Sequence, residues 1–437
     1  MGRAWIRAAA LALVWVAAGV ASLSGAEAVA DKLHLKDGRV IEGTVQREGD
    51  GFVYFITKIG GIEKVELFLR DDILRVEKDG EAPARTDVKS SDARAGDKPA
   101  SGRAASNEGA AGDGAVRVAF ISMGEPPLDM VGPYMNASAL RESIKRLEPS
   151  KPDIVVLVFN SGGGAAIEVQ KLSDVVQNDL KPKYRTVAWI HSAISAAAMT
   201  AHACNEIYFM SKGNYGACTA FSMQGGRATA AEGRFLEELL FQMEKISARG
   251  GYNPLIMRAM QIEQELSCDI DENGVVHWRA DLNGQHVVNP KGKILTFNSR
   301  DAIRYKFAKG VADTKPELMS LLVGDSEWVE VGQEADRYQA QHRESTHSAE
   351  LSLNDLFRKL SQAVQSAITS ASNAEERGRQ VGIARRWLGE IRALSRRSPA
   401  VQEYYLGERF FTSMEEMLSR IAAGEAVNPA DYGFGQG

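Results

Sequence analysis

Polar and apolar positions follow three rhythms in turn along this chain. From residue 31 to 78 the spacing is that of short strands. Leu33 and Leu35 alternate with polar neighbours, Asp37-Gly38 interrupts, and Val40 resumes the pattern. Asp-Gly between two such runs predicts a hairpin. FVYFITKI and KVELFLRDDILRVE continue it, so 31–78 reads as a small β domain, barrel-like or rolled. It holds no catalytic constellation, and an adaptor or binding module is expected there.

From 116 to 323 strands alternate with helices. VRVAFISM (116–123), DIVVLVF (153–159), TVAWIH (186–191) and NEIYFM (205–210) are predicted strands. Unbroken apolar runs of this kind mark strands buried on both faces. Between them Leu140, Ile144 and Leu147 share one face of a helix over 137–147. Further helices are predicted from about 165 to 180, from Ser195 on, and over 234–265 with a break at Gly250-Gly251. Short strands around Asn273-Gly274 and Asn283-Gly284 precede helices near 299–307 and 315–322. The alternation predicts an α/β domain with a parallel sheet and right-handed crossovers. From 345 to 437 the rhythm is helical: Leu353, Leu356, Leu360, Val364 and Ile368 form one amphipathic stripe.

The ends of these blocks add to the picture. Arg3 and Arg7 precede an apolar run from Ala8 to Val20, and small residues follow to Ala26. That is the pattern of a secretory signal peptide over 1–26. The run is short against the roughly 20 apolar residues of a spanning helix, with an uncleaved membrane anchor as the alternative. An exported protein, periplasmic or otherwise extracytoplasmic and with membrane association open, is expected. Residues 79–115 are rich in Ala, Gly, Ser, Asp, Lys and Pro, with Val88 as the one large apolar residue. Such a stretch reads as a disordered linker. The chain has 437 residues, 44% of them apolar, and a net charge of −5 with no strong block of either sign. Nucleic-acid binding, which needs a clustered basic footprint, is not expected. Cys204, Cys218 and Cys268 are too few for a disulfide framework. No spacing of His, Cys and Asp reads as a metal site, and no cofactor is expected.

Two features could carry chemistry. Asn160-Ser161 closes a buried strand and Gly162-Gly163-Gly164 follows. Such a turn permits positive φ, and its N–H groups beside a helix N-terminus can meet an anion. Gly-Lys-Ser/Thr and Gly-x-Gly-x-x-Gly are both absent, so it is neither a P-loop nor a dinucleotide fingerprint. Ser195 heads a helix of small residues, where the helix dipole favours negative charge on oxygen. Taken singly, a tight βα turn accounts for the glycines and N-cap preference for the serine.

Together they resemble the Clp-protease/crotonase superfamily, and within it the signal-peptide peptidase A and NfeD-type (ClpP-class) serine proteases. Asn160-Ser161-Gly162-Gly163-Gly164 is similar to that family's Asn-Ser-Pro-Gly-Gly, with glycine in the proline's place. Ser195-Ala196 and Ala203-Cys204-Asn205-Glu206-Ile207 stand in register with its Ala-Ser-Ala…Ala-x-Asp-Glu-Ile. Gly216-Ala217, Ile294-Leu295-Thr296, Asp301-Ala302 and Gly310-Val311-Ala312-Asp313 resemble its later motifs in the same order. The resemblance covers 116–323 and implies a ClpP/crotonase-like fold of repeated ββα-type units.

It also implies a peptidase with Ser195 as nucleophile and the Gly163 and Gly164 amides as oxyanion hole. A peptide or protein substrate and a homo-oligomer are implied as well. The family's general base is a lysine, and Arg234 stands at its position. A guanidinium stays charged and cannot serve. Lys245, three turns further along the same helix, is the candidate base, and Lys212 lies on a loop past the next strand. His202 is about 10 Å along the helix from Ser195 and reads as a satisfied helix-face residue. His277 and His286, in the strand-rich insertion, could fold over the site, whereas His191 precedes the serine loop. Asp129 and Asp153 read as turn or strand-edge residues. Two functions stay open: an exported serine peptidase, or an inactive scaffold of the same fold that binds peptides or partner proteins. An acyl-CoA enzyme is set aside, because the CoA pool is not exported.

Overall fold

The computed structural model describes residues 31–36, 40–48, 52–59, 62–69, 73–77, 114–224 and 227–432. The expected signal peptide, the expected linker up to residue 113 and the Asp37-Gly38 turn lie outside them. The chain divides into two compact units, with residues 31–77 in one and 116–432 in the other.

The first unit is an antiparallel sheet. Its strands are β1 (Asp31–Leu35), β2 (Val40–Glu48), β3 (Phe52–Ile59), β4 (Ile62–Leu69) and β5 (Ile73–Glu77), in the order β4-β3-β2-β1-β5. Alternation puts Leu33, Leu35, Phe55 and Ile73 together as its small core.

The second unit is built on a parallel sheet of β6 (Val116–Met123), β7 (Ile154–Ser161), β8 (Arg185–Ile194) and β9 (Glu206–Gly216). The helices α1 (Ala137–Leu147), α2 (Ala166–Val175) and α3 (Ala196–Ala201) connect them. The apolar runs lack alternation because both faces are covered. Val155, Leu157 and Phe159 of β7 enter one core, while Ile154 and Val156 enter another on the opposite face. β6 and β8 divide their side chains in the same way.

β8 and β9 run further than the apolar pattern indicates. His191 bulges against β7. Opposite it Met210–Gly213 of β9 are left out of the pairing, so that Ser192 pairs with Asn214 and Ile194 with Gly216 and β8 continues to the residue before Ser195. After β9 come a hairpin, β10 (Phe221–Gln224) and β11 (Arg227–Ala230), and the helices α4 (Gly233–Gly250) and α5 (Pro254–Gln261). β12 (Leu266–Ile270), β13 (Val276–Arg279) and β14 (His286–Asn289) form a separate three-stranded sheet. β15 (Thr296–Asn298), α6 (Ser299–Arg304), β16 (Gly310–Val311), α7 (Lys315–Val323) and β17 (Trp328–Glu330) complete the unit's sheet and its second face. The main sheet reads β15-β9-β8-β7-β6-β17, with β16 beside β9.

The last helices are α8 (Gln333–Thr369), α9 (Ala374–Arg397), α10 (Pro399–Tyr404) and α11 (Glu408–Ala422). α8 starts at Gln333 rather than near 345, and its first turns belong to the α/β core. Asp336 accepts from the Ser122 amide and hydroxyl at 2.8 and 2.6 Å. Arg343, its side chain 4% exposed, reaches Ser122 Oγ and Glu125. The second half of α8 packs with α9 and α11 around Leu360, Val364, Leu388 and Met414. No helix among the described residues is long and apolar enough to cross a membrane.

Two glycines give opposite predictions. A Cβ at Gly250 would lie 2.1 Å from the His202 carbonyl oxygen, whereas one at Gly378 on α9 meets nothing within 4 Å. In urea denaturation, Gly250→Ala is expected to cost about 1–3 kcal/mol through overpacking. Gly378→Ala is expected to gain roughly 0.5–1 kcal/mol, as an exposed helix interior favours alanine.

Candidate active site

The carboxyl ends of β7 and β8 bring the glycine turn and Ser195 together. In open α/β sheets this edge is where ligands bind. The bulge at His191 against β7 sets the phase of Ser192–Ile194, and bulges of this kind re-aim side chains beside active sites.

Ser195 has φ 55° and ψ −125°, a conformation rarely held by a residue with a side chain. Its N–H donates to Gly216 O at 2.8 Å, and its carbonyl accepts from Met199 N–H at 3.0 Å. The side chain makes no capping hydrogen bond, although the residue stands at the N-cap of α3. The capping explanation of this serine therefore fails. The residue is half-buried, and holding such a backbone costs on the order of 1–3 kcal/mol.

Gly163 lies directly against it. A Cβ at Gly163 would be 2.6 Å from Ser195 Cβ and 3.2 Å from Ser195 Oγ, and its φ is +103°. Gly164, with φ +151°, packs on the backbone of Val131 in the loop between β6 and α1. The two expected oxyanion donors differ. Gly163 N–H donates to Ser161 Oγ at 3.1 Å, whereas Gly164 N–H has no acceptor among the described residues. The Ala196 N–H, first in α3, is in the same position and was not singled out from the sequence. Its adjacency to Ser195 was the available signal.

The candidate bases do not face the serine. α4 turns Leu239, Met243, Ile246 and Ser247 inward. Arg234, Glu238, Phe241 and Lys245 fall on the opposite face. The Arg234 side chain is 90% exposed and paired with Glu238 at 2.8 Å. Lys245 is exposed, its ammonium 4.3 Å above the Phe241 ring. Lys245 as base is thus corrected by the phase of the helix: 234, 238, 241 and 245 share one stripe, and that stripe meets solvent. Lys212 and His191 are exposed as well. His277 pairs with Asp271 at 3.1 Å, and His286 packs near the Tyr305 ring. Among the described residues no lysine or histidine nitrogen is hydrogen-bonded to Ser195 Oγ.

His202 is buried behind the site. Its Nδ1 is 3.0 Å from Tyr215 OH, which donates to Ala198 O of α3 at 2.6 Å. Its ring stacks on Tyr252 at 4.6 Å. Burial pushes the imidazole down to about 3, so it is neutral near pH 7. The three cysteines are buried free thiols, and burial pushes Cys204 up to about 12. Asp153 accepts the Arg117 N–H at 2.8 Å at the start of the sheet, as a strand-edge residue does. Asp129 instead reaches the glycine turn, accepting from Gly162 N–H at 2.8 Å.

No known protein-family profile matches the chain. Over 187 residues it is 25% identical to the membrane protein NfeD1b of Bacillus subtilis (strain 168), a distant relative. That match takes in 43% of this chain and 38% of the relative's own length. Two solved structures of a membrane-bound stomatin-specific protease are also similar. A serine-to-alanine mutant is 15% identical with a TM-score of 0.37, covering 51% of this chain and 99% of its own. A lysine-to-alanine mutant in complex with a substrate peptide is 14% identical with a TM-score of 0.36, covering 52% and 98%.

The buried imidazole gives a pH prediction. In the unfolded chain His202 takes its ordinary value near 6.5, so protons favour unfolding as the pH falls below that. Stability is fully present above about pH 6.5 and is lost toward the folded value. Between pH 7 and pH 5 the wild type is expected to lose roughly 2 kcal/mol that His202→Phe does not lose, measured by urea denaturation at each pH.

Proposed function

We propose that this protein is an exported, membrane-associated serine peptidase of the ClpP class, with Ser195 as its nucleophile. The observation that carries the reading is the Ser195 backbone: strained, pressed against a glycine, with a hydroxyl that caps nothing. Backbone strain on a polar residue persists where the surrounding structure over-determines it, and such residues cluster at active sites. In the reaction Ser195 Oγ would bond to the scissile carbonyl carbon, and its proton would pass to the leaving amine as the C–N bond breaks. Water would then hydrolyse the Ser195 ester, releasing the acid and restoring the hydroxyl. The Gly164 amide, with that of Ala196, would receive the oxyanion, a contribution of about 3–4 kcal/mol per donor. Membrane association is carried over from NfeD1b, a membrane protein.

A second reading is favoured by one observation, the solvent-facing stripe of α4 that holds both Arg234 and Lys245. Without a proton acceptor, Ser195 is not activated. The same cleft would then hold a peptide without cutting it, as a scaffold.

A biotinylated serine-directed phosphonate separates the two. The wild type is expected to label at Ser195, and Ser195→Ala is expected not to label. Gly163→Ala should also abolish labelling, since its methyl would occupy the space of Ser195 Cβ. A wild type that neither labels nor cleaves a peptide library, yet retains peptides in equilibrium dialysis, leaves the scaffold reading standing.

A further inference from the structure

We propose that Asp129 is a positioning residue for the glycine turn, holding Gly162–Gly164 in the conformation that faces Ser195. The proposal rests on reading Ser195 as a nucleophile. Three consecutive glycines have little conformational preference of their own, and ordering them costs more entropy than ordering other residues. Something outside the turn must therefore hold it.

The hydrogen bonds identify what does. Gly162, unlike its two successors, lies outside the left-handed region. A Cβ there would meet only Asp129 Oδ2 at 3.8 Å, an ordinary contact. Neither sterics nor backbone conformation requires glycine at 162. Its contribution to the turn is its N–H, donated to Asp129 Oδ2 at 2.8 Å. A carboxylate accepting from a backbone amide makes a bond roughly twice as strong as a neutral one.

Asp129 holds the turn a second time through its own backbone. Its carbonyl oxygen accepts from Ser161 Oγ at 2.5 Å, and that same Oγ accepts from Gly163 N–H at 3.1 Å. Two residues on, Val131 N–H donates to Gly163 O and Val131 O accepts from Ala165 N–H, both at 2.9 Å. The N–H groups of 162, 163 and 165 are thus taken, each by a fixed partner on or supported by residues 129–131. Gly164 N–H is the turn amide that these bonds leave over. Asp129 therefore acts through the turn on which amide is presented, not by touching a substrate. It supplies the rigidity that a glycine-only turn lacks, from a residue 33 positions earlier in the chain.

Three forms of the full-length chain test this: wild type, Asp129→Ala and Asp129→Asn. Asparagine keeps an acceptor oxygen for Gly162 N–H and removes only the charge. Three quantities are read for each: amide hydrogen exchange over residues 160–165, the rate constant for phosphonate labelling of Ser195, and the urea midpoint. In Asp129→Ala, exchange over 160–165 is expected to accelerate. Labelling is expected to slow on the order of 10- to 100-fold, less than the 10²–10³ seen when an oxyanion donor is removed outright. Asp129→Asn is expected to stay within a few-fold of the wild type in both. A merely structural role would move the urea midpoint and spread the exchange change over the unit.

Unchanged exchange over 160–165 in Asp129→Ala overturns the proposal. So does labelling that slows equally in the Ala and Asn forms. If the wild type itself does not label, the nucleophile reading is the one that fails, and the exchange measurement still decides what Asp129 does.

Discussion

The second unit depends on one close approach: the backbone of Gly163 against the side chain of Ser195, with no room for a methyl group between them. Two parallel strands must end at the same height, and each must then turn sharply into a helix. β7 meets the demand with glycines. β8 meets it with a bulge at His191 and a serine held at positive φ. The Ser195 amide is tied to Gly216 at the end of β9, so three strand ends share the constraint. The small residues of α3 follow from it, since a helix starting at that point is enclosed on all sides, with Ala197, Ala198 and Ala201 wholly buried.

The loop between β6 and α1 lies across the glycine turn, and it is held from its far side by α8. His342 sits against Pro133 O and the Asn136 side chain. Glu350 receives the hydroxyls of Tyr134, in that loop, and Tyr405, at the end of α10. The last helices are therefore joined to the candidate site through polar contacts on one loop, besides their own apolar core.

The parallel strands were legible because a run such as Ile154–Phe159 has only one comfortable environment, between two covered faces. The pairing of the glycine turn with Ser195 was legible only through the resemblance of the ordered motifs to a known family, since each feature taken singly had a plain structural explanation. What the sequence hid depends on partners distant in the chain. Residues 333–345 look like polar surface, and only the structure brings Arg343 and Gln339 to Ser122 and Ser143. Asp129 is an ordinary turn residue until Gly162 is beside it. The base on α4 was misread for a different reason. Motif counting fixed a position along the helix but not its angle, and the apolar spacing of Leu239, Met243 and Ile246 already implied that 234, 241 and 245 point outward.

α8 has 37 residues, and its two halves lie in different cores, the first with the sheet and the second with α9 and α11. A rod of about 55 Å that serves two cores makes them melt together. Fraying the bundle end exposes apolar surface along α8 and withdraws Glu350 from the loop, while loosening the sheet end frees Arg343 and unseats the same rod. Local opening is then costly at either end, so the region around Ser195 belongs to the global unfolding unit rather than to a low-energy subglobal one.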